Sequence, residues 1–217
     1  MLINIHTHHL SNLSSNNLAI YNQYPWDFID NKATYSIGIH PVFINQSNLK
    51  QDLAFIKEHI QHEKCIAIGE IGLDKLCTID FKVQIAIFKQ QLQIAEENKI
   101  PVIIHCVRSY QEILAIRNEM KLTIPFIFHG FNKNEKLLNQ ITKNQCIPSF
   151  GKNLLYNPNL QTIFANLSEN EFFLENDGSQ IPIEEIYQKA AELKNTTLSQ
   201  IEAIIKENYN RIFKQSV

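Results

Sequence analysis

Eight short runs of apolar residues recur along the chain, and they constrain its fold more than any other feature. Each run is rich in isoleucine, valine or phenylalanine and is nearly continuous, rather than alternating with polar residues. Runs of this kind indicate strands that are covered on both faces, as in a parallel sheet. They are residues 2–5, 18–21, 34–39, 65–69, 101–106, 125–129, 146–150 and 171–175.

Helical patterns occupy several of the gaps between these runs. In residues 81–98 the apolar side chains follow three- and four-residue steps, which is the spacing of one helix face. Asp80 stands where it can cap this helix, and Ser199 is the expected cap of the last helix. The segments with helical character are 81–98, 110–120, 134–143, 184–193 and 199–213.

Alternating strands and helices predict an α/β fold, a compact TIM-type (β/α)8 barrel. The chain has 217 residues, somewhat fewer than the roughly 250 typical of that fold. Residues 9–33 offer a weak strand and hardly a full helix, so the second βα unit is predicted to be reduced. No repeat or linker interrupts the pattern, and residues 1–217 are therefore predicted to form one domain. An open, doubly wound α/β sheet is the alternative.

The composition narrows the classes of protein to which the chain can belong. Hydrophobic residues make up 44% and charged residues 19%, as in a globular protein. The net charge of −2 argues against non-specific wrapping of nucleic acid, which requires a basic surface. Four cysteines without CxxC spacing predict free thiols. Because no leader or long apolar stretch is present, we expect a cytoplasmic protein with no membrane contact and no obligate protein partner.

Chemistry-bearing side chains stand at the carboxyl ends of the predicted strands. The first run ends in His6 and His8, and residues two apart in a strand point to the same face. The carboxyl ends of barrel strands converge on one mouth, so residues far apart in sequence meet there. The candidate metal ligands are His6, His8, Glu70, His105, His129 and Asp177, with His40 close by.

Four imidazoles and two carboxylates form a mixed nitrogen and oxygen ligand set. Such a set suits zinc or manganese, and with added waters it also suits magnesium. A single catalytic ion uses about three protein ligands, so this set favours two divalent ions bridged by a carboxylate. One histidine at a strand end is more often structural than a ligand. The recurrence of such residues at five strand ends makes the metal site the better interpretation.

Four further residues near these strand ends have two possible roles each. Arg108 is a candidate for holding a phosphate, and an ion pair with a loop carboxylate is the alternative. His40 either contacts substrate or braces the loop before Pro41. His9 lies on the face opposite His6 and His8, which predicts a surface or supporting role. Asp74 is predicted to cap a loop rather than to act in catalysis.

Several motifs, in this order, resemble those of the TatD-like metal-dependent hydrolases of the amidohydrolase superfamily. They are IHTHHL, GIHP, GEIGLD, FKQQLQIAEENKIPVIIHCVRS, FHGF, LENDGSQIP and ENYNRIF. The resemblance extends over nearly the whole chain, and GEIGLD is its most specific part. It implies a TIM-type barrel, two divalent metal ions and hydrolysis of phosphodiesters. Members of this family are described as deoxyribonucleases, some with 3′-exonuclease or abasic-site activity.

The resemblance also implies a role for each matching residue. His6, His8 and Asp177 would bind one ion, and His105 and His129 would bind the other. Glu70 would bridge the two ions, and Asp177 would orient or deprotonate the attacking water. Glu70 and Asp177 are therefore the expected catalytic residues. The chain departs from the family at Ser11, at Val42 and around Asp177, and much of the family's loop after Asp177 is missing.

These observations predict a divalent-metal-dependent hydrolase that uses a metal-activated water. The expected substrate is DNA or a small phosphoester, so we expect a phosphodiesterase or deoxyribonuclease. A hydrolase of a small ester or amide in the same barrel is an alternative, and a non-catalytic, metal-binding relic of the fold is another. An HxH pair also occurs in the polymerase and histidinol phosphatase group, but GEIGLD and a single late Asp disfavour that relationship.

Overall fold

The structure is a computed structural model that describes residues 1–9, 17–30 and 33–215. Within these residues each of the eight predicted apolar runs contains all or part of a strand, as the sequence predicts. The strands are β1 Ile3–Thr7, β2 Leu18–Gln23, β3 Tyr35–Ile37, β4 Cys65–Asp74, β5 Val102–Val107, β6 Phe126–Phe128, β7 Ile147–Phe150 and β8 Phe173–Leu174.

The five predicted helices are all present, with ends that differ from the prediction by no more than one residue. The predicted segments do not include α1 or the two short helices α5 and α6. The helices are α1 Leu49–His59, α2 Phe81–Asn98, α3 Tyr110–Glu119, α4 Glu135–Lys143, α5 Asn153–Tyr156, α6 Pro158–Ala165, α7 Ile183–Leu193 and α8 Leu198–Phe213.

The two predicted helix caps have different outcomes. Asp80 caps α2, because its Oδ1 accepts hydrogen bonds from the backbone N–H groups of Lys82 and Val83. The prediction for Ser199 is wrong. Thr197 caps α8 instead: its Oγ1 accepts from the Gln200 N–H at 3.3 Å, and Gln200 Oε1 accepts from the Thr197 N–H at 3.0 Å. This reciprocal pair is a capping box, which satisfies two N–H groups that the helix leaves unbonded.

The second βα unit is reduced, as predicted. After β2 the described residues contain only a one-turn 3-10 helix, Pro25–Asp27, before β3 begins. The four cysteines are free thiols, and burial raises the pKa of Cys65 to about 12. None of the helices in the described part of the chain is long and apolar enough to span a membrane.

The chain divides into two compact units, and the boundaries cut through β2 and β6. Unit 1 comprises Met1–Tyr21 and Phe128–Val217, and unit 2 comprises Asn22–Ile127. The organisation of residues 1–217 as one domain stays a prediction.

In unit 1, parallel pairing joins β1 to the first half of β2 and β7 to β8. A further parallel bridge joins Thr7, at the end of β1, to Asp177, beyond β8. Buried phenylalanine rings contact one another in a chain from Phe131 through Phe150 and Phe164. Edge-to-face contacts of this kind fill the core between strands and helices.

In unit 2, β4 pairs in parallel with β3 on one side and with β5 on the other. The backbones of β4 and β5 approach so closely at Gly72 that a Cβ atom there would lie 1.9 Å from the carbonyl oxygen of His105. Only glycine fits this position, which explains the second glycine of GEIGLD. The helix α2 covers β4 with Phe88, Leu92 and other buried side chains.

Candidate metal centre

The first cluster of candidate ligands lies in unit 1, where β1 and β8 end side by side. The Asp177 N–H donates to the His6 carbonyl at 3.1 Å, and the His8 N–H donates to the Asp177 carbonyl at 3.3 Å. These backbone bonds continue the parallel pairing past the end of β8. They place Asp177 between the two histidines of the HxH pair.

The side chains of His6, His8 and Asp177 converge. The Oδ1 atom of Asp177 lies 3.3 Å from Nε2 of His8 and 3.6 Å from Nε2 of His6. One donor atom from each residue lies within 4.8 Å of the other two. His6 is fully buried, whereas the Asp177 side chain is 45% exposed, so the cluster meets solvent on its carboxylate side.

Two buried asparagines hold this cluster in register. The Nδ2 of Asn4 donates to Oδ1 of Asn176 at 2.7 Å, and the Asn176 N–H donates to Oδ1 of Asn4 at 3.2 Å. The pair joins the residue two before His6 to the residue before Asp177. Asn176 stands where the TatD-like motif has a threonine, and the amide pair gives it a structural role in this chain.

His129, also in unit 1, has a carboxylate at its ring that the sequence analysis missed. Its Nδ1 lies 3.4 Å from Oε1 of Glu175, and the same oxygen accepts from the Gly130 N–H at 2.7 Å. Glu175 is fully buried. The His129 and His6 rings are 4.6 Å apart between centroids. Glu175 therefore orients the His129 ring from behind.

The second cluster lies in unit 2 and comprises His40, Glu70 and His105. The Oε1 atom of buried Glu70 lies 2.8 Å from Nδ1 of His105 and 3.3 Å from Nε2 of His40. The two rings are 4.2 Å apart between centroids. As in unit 1, one donor atom from each residue lies within 4.8 Å of the others.

The backbone fixes the tautomer of neutral His40. Its Nδ1 accepts a hydrogen bond from the Val42 N–H at 3.2 Å and caps the one-turn 3-10 helix Pro41–Phe43. A nitrogen that accepts from an N–H carries no proton, so Nε2 carries it and donates to Glu70. His40 thus braces the loop before Pro41, one of its two predicted roles. Substrate contact stays a prediction.

Asp74 caps a loop, as predicted, and also contacts a candidate ligand. Its Oδ1 accepts from the Leu76 N–H at 2.7 Å, and its Oδ2 lies 3.1 Å from Nε2 of His105. Each ring nitrogen of His105 therefore faces a carboxylate. A carboxylate behind a metal-binding imidazole is a common orienting device, so sequence reasoning alone underestimates Asp74.

A third supporting residue, Asn22, lies beneath Glu70. Its Oδ1 accepts from the Glu70 N–H at 2.6 Å and from Oγ of Ser36 at 3.3 Å. All three residues are buried. Polar residues within or directly after an apolar run, such as Ser36 and Asn22, are the sequence signal that marks these supports. The signal does not identify their partners.

Two remaining predictions concern Arg108 and His9. Arg108 is exposed, with a left-handed backbone at φ 54°, and makes no hydrogen bond or ion pair with the residues that the structure describes. A loop carboxylate does not pair with it within that part of the chain. His9 is half-buried, and its Nε2 lies 3.2 Å from the Gly178 carbonyl oxygen. It supports the loop after Asp177, in agreement with its predicted role.

Comparisons with known proteins identify the family that this chain matches. A family model described as TatD related DNase matches residues 11–214. The chain is 27% identical over 196 residues to the uncharacterized metal-dependent hydrolase YabD of Bacillus subtilis, a match that covers 82% of this chain and 76% of YabD. It is 34% identical over 92 residues to the 3′-5′ RNA nuclease TATDN2 of Homo sapiens, covering 42% of this chain and 12% of that protein.

A solved structure establishes the fold class. The crystal structure of YjjV, a TatD homolog from Escherichia coli K12, matches with a TM-score of 0.84 and 18% sequence identity. The match covers 99% of this chain and 98% of YjjV. The chain has the TIM-type (β/α)8 fold, as predicted, and the alternative of an open, doubly wound sheet is wrong.

Proposed function

This chain belongs to the TatD related DNase family, and we propose that it hydrolyses phosphodiester bonds of nucleic acid with divalent metal ions. The family supports the general description of this chain as a metal-dependent hydrolase. The phosphodiester substrate and the roles of individual residues are our proposal. The observation that carries it is the clustering of histidine and carboxylate side chains in each of the two units.

The donor sets fit divalent metal ions. In unit 1, two imidazole nitrogens and a carboxylate oxygen, all within 4.8 Å of one another, match the three-ligand sites of catalytic zinc and also suit manganese. His6, His8 and Asp177 would hold one ion. Glu70 and His105 would hold another, and the assignment of His129 to that ion, with Glu70 as the bridge, stays a prediction. Bound ions of this kind polarise a phosphoryl oxygen and make a water molecule more acidic.

The protein's own groups have distinct tasks in this proposal. Asp177 presents its half-exposed carboxylate to solvent, where it can accept a proton from the attacking water. His40 donates its Nε2 proton to Glu70 and so keeps that carboxylate oriented. Arg108, exposed beyond β5, offers a planar set of N–H donors that can hold a phosphate in two-point contact.

The charge of the chain is consistent with a nuclease that grips phosphate mainly through metal ions. Lysine and arginine total 20, against 22 aspartates and glutamates. Such a balance gives little general attraction for a polyanion. We therefore expect strong dependence of substrate binding on the divalent ion, for DNA and equally for RNA, the substrate class named for TATDN2.

A second candidate is hydrolysis of a small ester or amide. The connection from Asp177 to α7 at Ile183 is short, which supports a mouth trimmed for small substrates. A panel of nitrophenyl esters, anilides and phosphodiesters, assayed beside oligonucleotides, separates the two candidates. Faster turnover of a carboxylic ester than of any phosphodiester would favour the second.

The central test measures metal content and nucleotide release together. Wild-type protein loaded with magnesium, manganese or zinc is incubated with end-labelled single-stranded DNA and RNA. We expect cleavage by wild type and at least a 100-fold loss for Asp177→Asn, with less bound metal by mass spectrometry. Asp80→Asn is the matched control, since asparagine also caps a helix and Asp80 lies at α2. A metal-loaded wild type without turnover on any phosphodiester overturns the proposal.

A further inference from the structure

Three aromatic side chains form an exposed cluster in unit 2. Tyr24 and Trp26 are stacked, with ring centroids 5.1 Å apart and planes 5° apart. Phe43 meets both edge-to-face, at 5.5 Å from Tyr24 and 6.1 Å from Trp26. Trp26 is 45% exposed and Phe43 is 51% exposed. We name Tyr24, Trp26 and Phe43 the aromatic cluster. Exposed apolar patches of this kind mark binding surfaces.

The aromatic cluster adjoins the second metal-binding candidate. The Phe43 ring lies 5.4 Å from the His40 ring, and His40 contacts Glu70. The one-turn helix Pro41–Phe43 explains this proximity, because His40 caps it and Phe43 ends it. The turn that orients His40 toward Glu70 therefore also presents Phe43 at the surface.

An open cavity of about 530 Å³ adjoins the cluster at Trp26. Flat rings form much of its wall, and Trp26 belongs to both the cavity and the cluster. Asp30 contributes a carboxylate to the lining. This chemistry suits a nucleobase, whose faces stack on aromatic rings and whose amino groups donate to a carboxylate. The lining residues include Trp26, Phe28, Phe55, His59 and Asp30.

The charges near the cluster favour a base over a phosphate. Asp27 is exposed beside Trp26, and Asp30 is exposed at the cavity. Two carboxylates repel a phosphate group, so the sugar-phosphate backbone has to run elsewhere. A base attached to that backbone is neutral and meets no such penalty.

We propose that the aromatic cluster is a stacking platform for the bases of single-stranded nucleic acid, beside a phosphodiester at the His40–Glu70–His105 cluster. This inference rests on the proposed function and narrows its substrate to unpaired strands. In a duplex both faces of each base are covered by neighbouring pairs, so the rings have nothing to stack on. A protein segment and a second copy of this chain are the competing occupants.

Trp26 provides a direct probe, because it is the only tryptophan in the sequence. Metal-loaded protein is titrated with a single-stranded phosphorothioate oligonucleotide, which resists hydrolysis, while tryptophan fluorescence is recorded. We expect saturable quenching by the oligonucleotide, and at least tenfold weaker binding of an abasic oligonucleotide of equal length and of a duplex. Quenching by the abasic strand at equal concentration, or binding detected by anisotropy without quenching, overturns the proposal.

Two substitutions separate stacking from indirect effects. Phe43→Ala and Trp26→Leu should each weaken oligonucleotide binding, measured by anisotropy, about tenfold. Trp26→Leu is the more specific, since the Trp26 ring touches Phe43 and Tyr24 rather than His40. Tyr156→Ala is the matched control, because Tyr156 is an aromatic residue 71% exposed in unit 1. Circular dichroism verifies that each variant folds.

The outcomes distinguish this inference from the proposed function. Cleavage of single-stranded DNA by wild type, with binding unchanged in Trp26→Leu, overturns the stacking platform and leaves the nuclease proposal standing. Quenching without cleavage of any phosphodiester supports base binding at the aromatic cluster and overturns the nuclease proposal. A fluorescence change that follows protein concentration instead of oligonucleotide assigns the cluster to self-association and overturns the inference.

Discussion

Glu70 and His105 lie side by side on neighbouring parallel strands, with Oε1 of Glu70 2.8 Å from Nδ1 of the His105 ring. The register of β4 and β5 sets this contact, because Gly72 lies directly opposite His105. The missing side chain at Gly72 lets the two backbones approach, and the approach brings the carboxylate two residues earlier to the ring. The close packing of β4 against β5 therefore also sets the distance between Glu70 and His105.

The first prediction concerns Gly72→Ala. The added Cβ would overlap the His105 carbonyl oxygen, and φ at Gly72 is 155°, a value that alanine adopts only under strain. We expect a loss of at least about 3 kcal/mol in the free energy of unfolding, measured by urea denaturation. Gly178→Ala is the control: a Cβ there meets nothing within 4 Å, so the change should stay within about 0.5 kcal/mol. Equal stability of the two variants contradicts the prediction.

The second prediction concerns the charge of Glu70. Glu70→Gln keeps the shape of the side chain but removes the negative charge that a divalent ion requires. We expect loss of bound metal by mass spectrometry and at least a 100-fold lower rate of phosphodiester cleavage. The metal-free protein should unfold at an unchanged or higher temperature, because a buried charge has been removed. Glu58→Gln, on the exposed surface of α1, is the control. Full metal content in Glu70→Gln would exclude Glu70 as a ligand.

The third prediction assigns Asp74 a positioning role. Its carboxylate faces Nε2 of His105. With a divalent ion bound at Glu70, this contact would keep the ring proton on Nε2 and leave Nδ1 free to bind the ion. Asp74→Asn preserves the acceptor for the Leu76 N–H but weakens the hold on the ring. We expect metal affinity, measured by calorimetry, to fall 10- to 100-fold, with a smaller change in unfolding temperature. If the variant loses stability but binds metal as tightly as wild type, Asp74 serves the loop alone.

The sequence predicts the strands better than it predicts the residues that hold the candidate ligands in position. An apolar run such as 101–106 specifies a buried strand by itself, because burial on both faces leaves no room for polar alternation. The cap of α8 was also readable, since Thr197 and Gln200 have capping-box spacing, and Ser199 misleads only by standing nearer the apolar pattern. A partner such as Asn176 for Asn4 depends on which strands meet, and no local pattern contains that information.

The sequence is equally unable to show which ring nitrogen of a histidine carries the proton. The sequence identifies His40 and His105 as candidates from their place after a strand. Which nitrogen of His40 carries the proton depends on the Val42 N–H, and each ring nitrogen of His105 faces a carboxylate, that of Glu70 or of Asp74. These contacts arise from a loop turn and from neighbouring strand ends. Chemistry at the atom level therefore required the three-dimensional structure, whereas the sequence alone proposes His40 and His105 as candidates.

The final prediction concerns stability and pH, through a carboxylate that is not among the candidate ligands. Burial by itself would raise the pKa of Glu96, but hydrogen bonds from Lys99, from the Thr123 hydroxyl and from the Thr123 and Ile124 N–H groups lower it to about 2. In the unfolded chain this group ionises near 4.5. Its contribution to stability is therefore complete above that pH and is lost as the pH falls toward 2.

Glu96→Gln tests this contribution. At pH 7 we expect a loss of about 1–2 kcal/mol in the free energy of unfolding, because neutral glutamine makes weaker hydrogen bonds to the same donors. The difference from wild type should shrink as the pH is lowered from 4.5 toward 2, as measured by urea denaturation at several pH values. Glu119→Gln is the control, since Glu119 forms an exposed ion pair with Lys89 worth about 0.5 kcal/mol. A Glu96→Gln deficit that stays constant over this range would show that the carboxylate's charge is not what stabilises the end of α2.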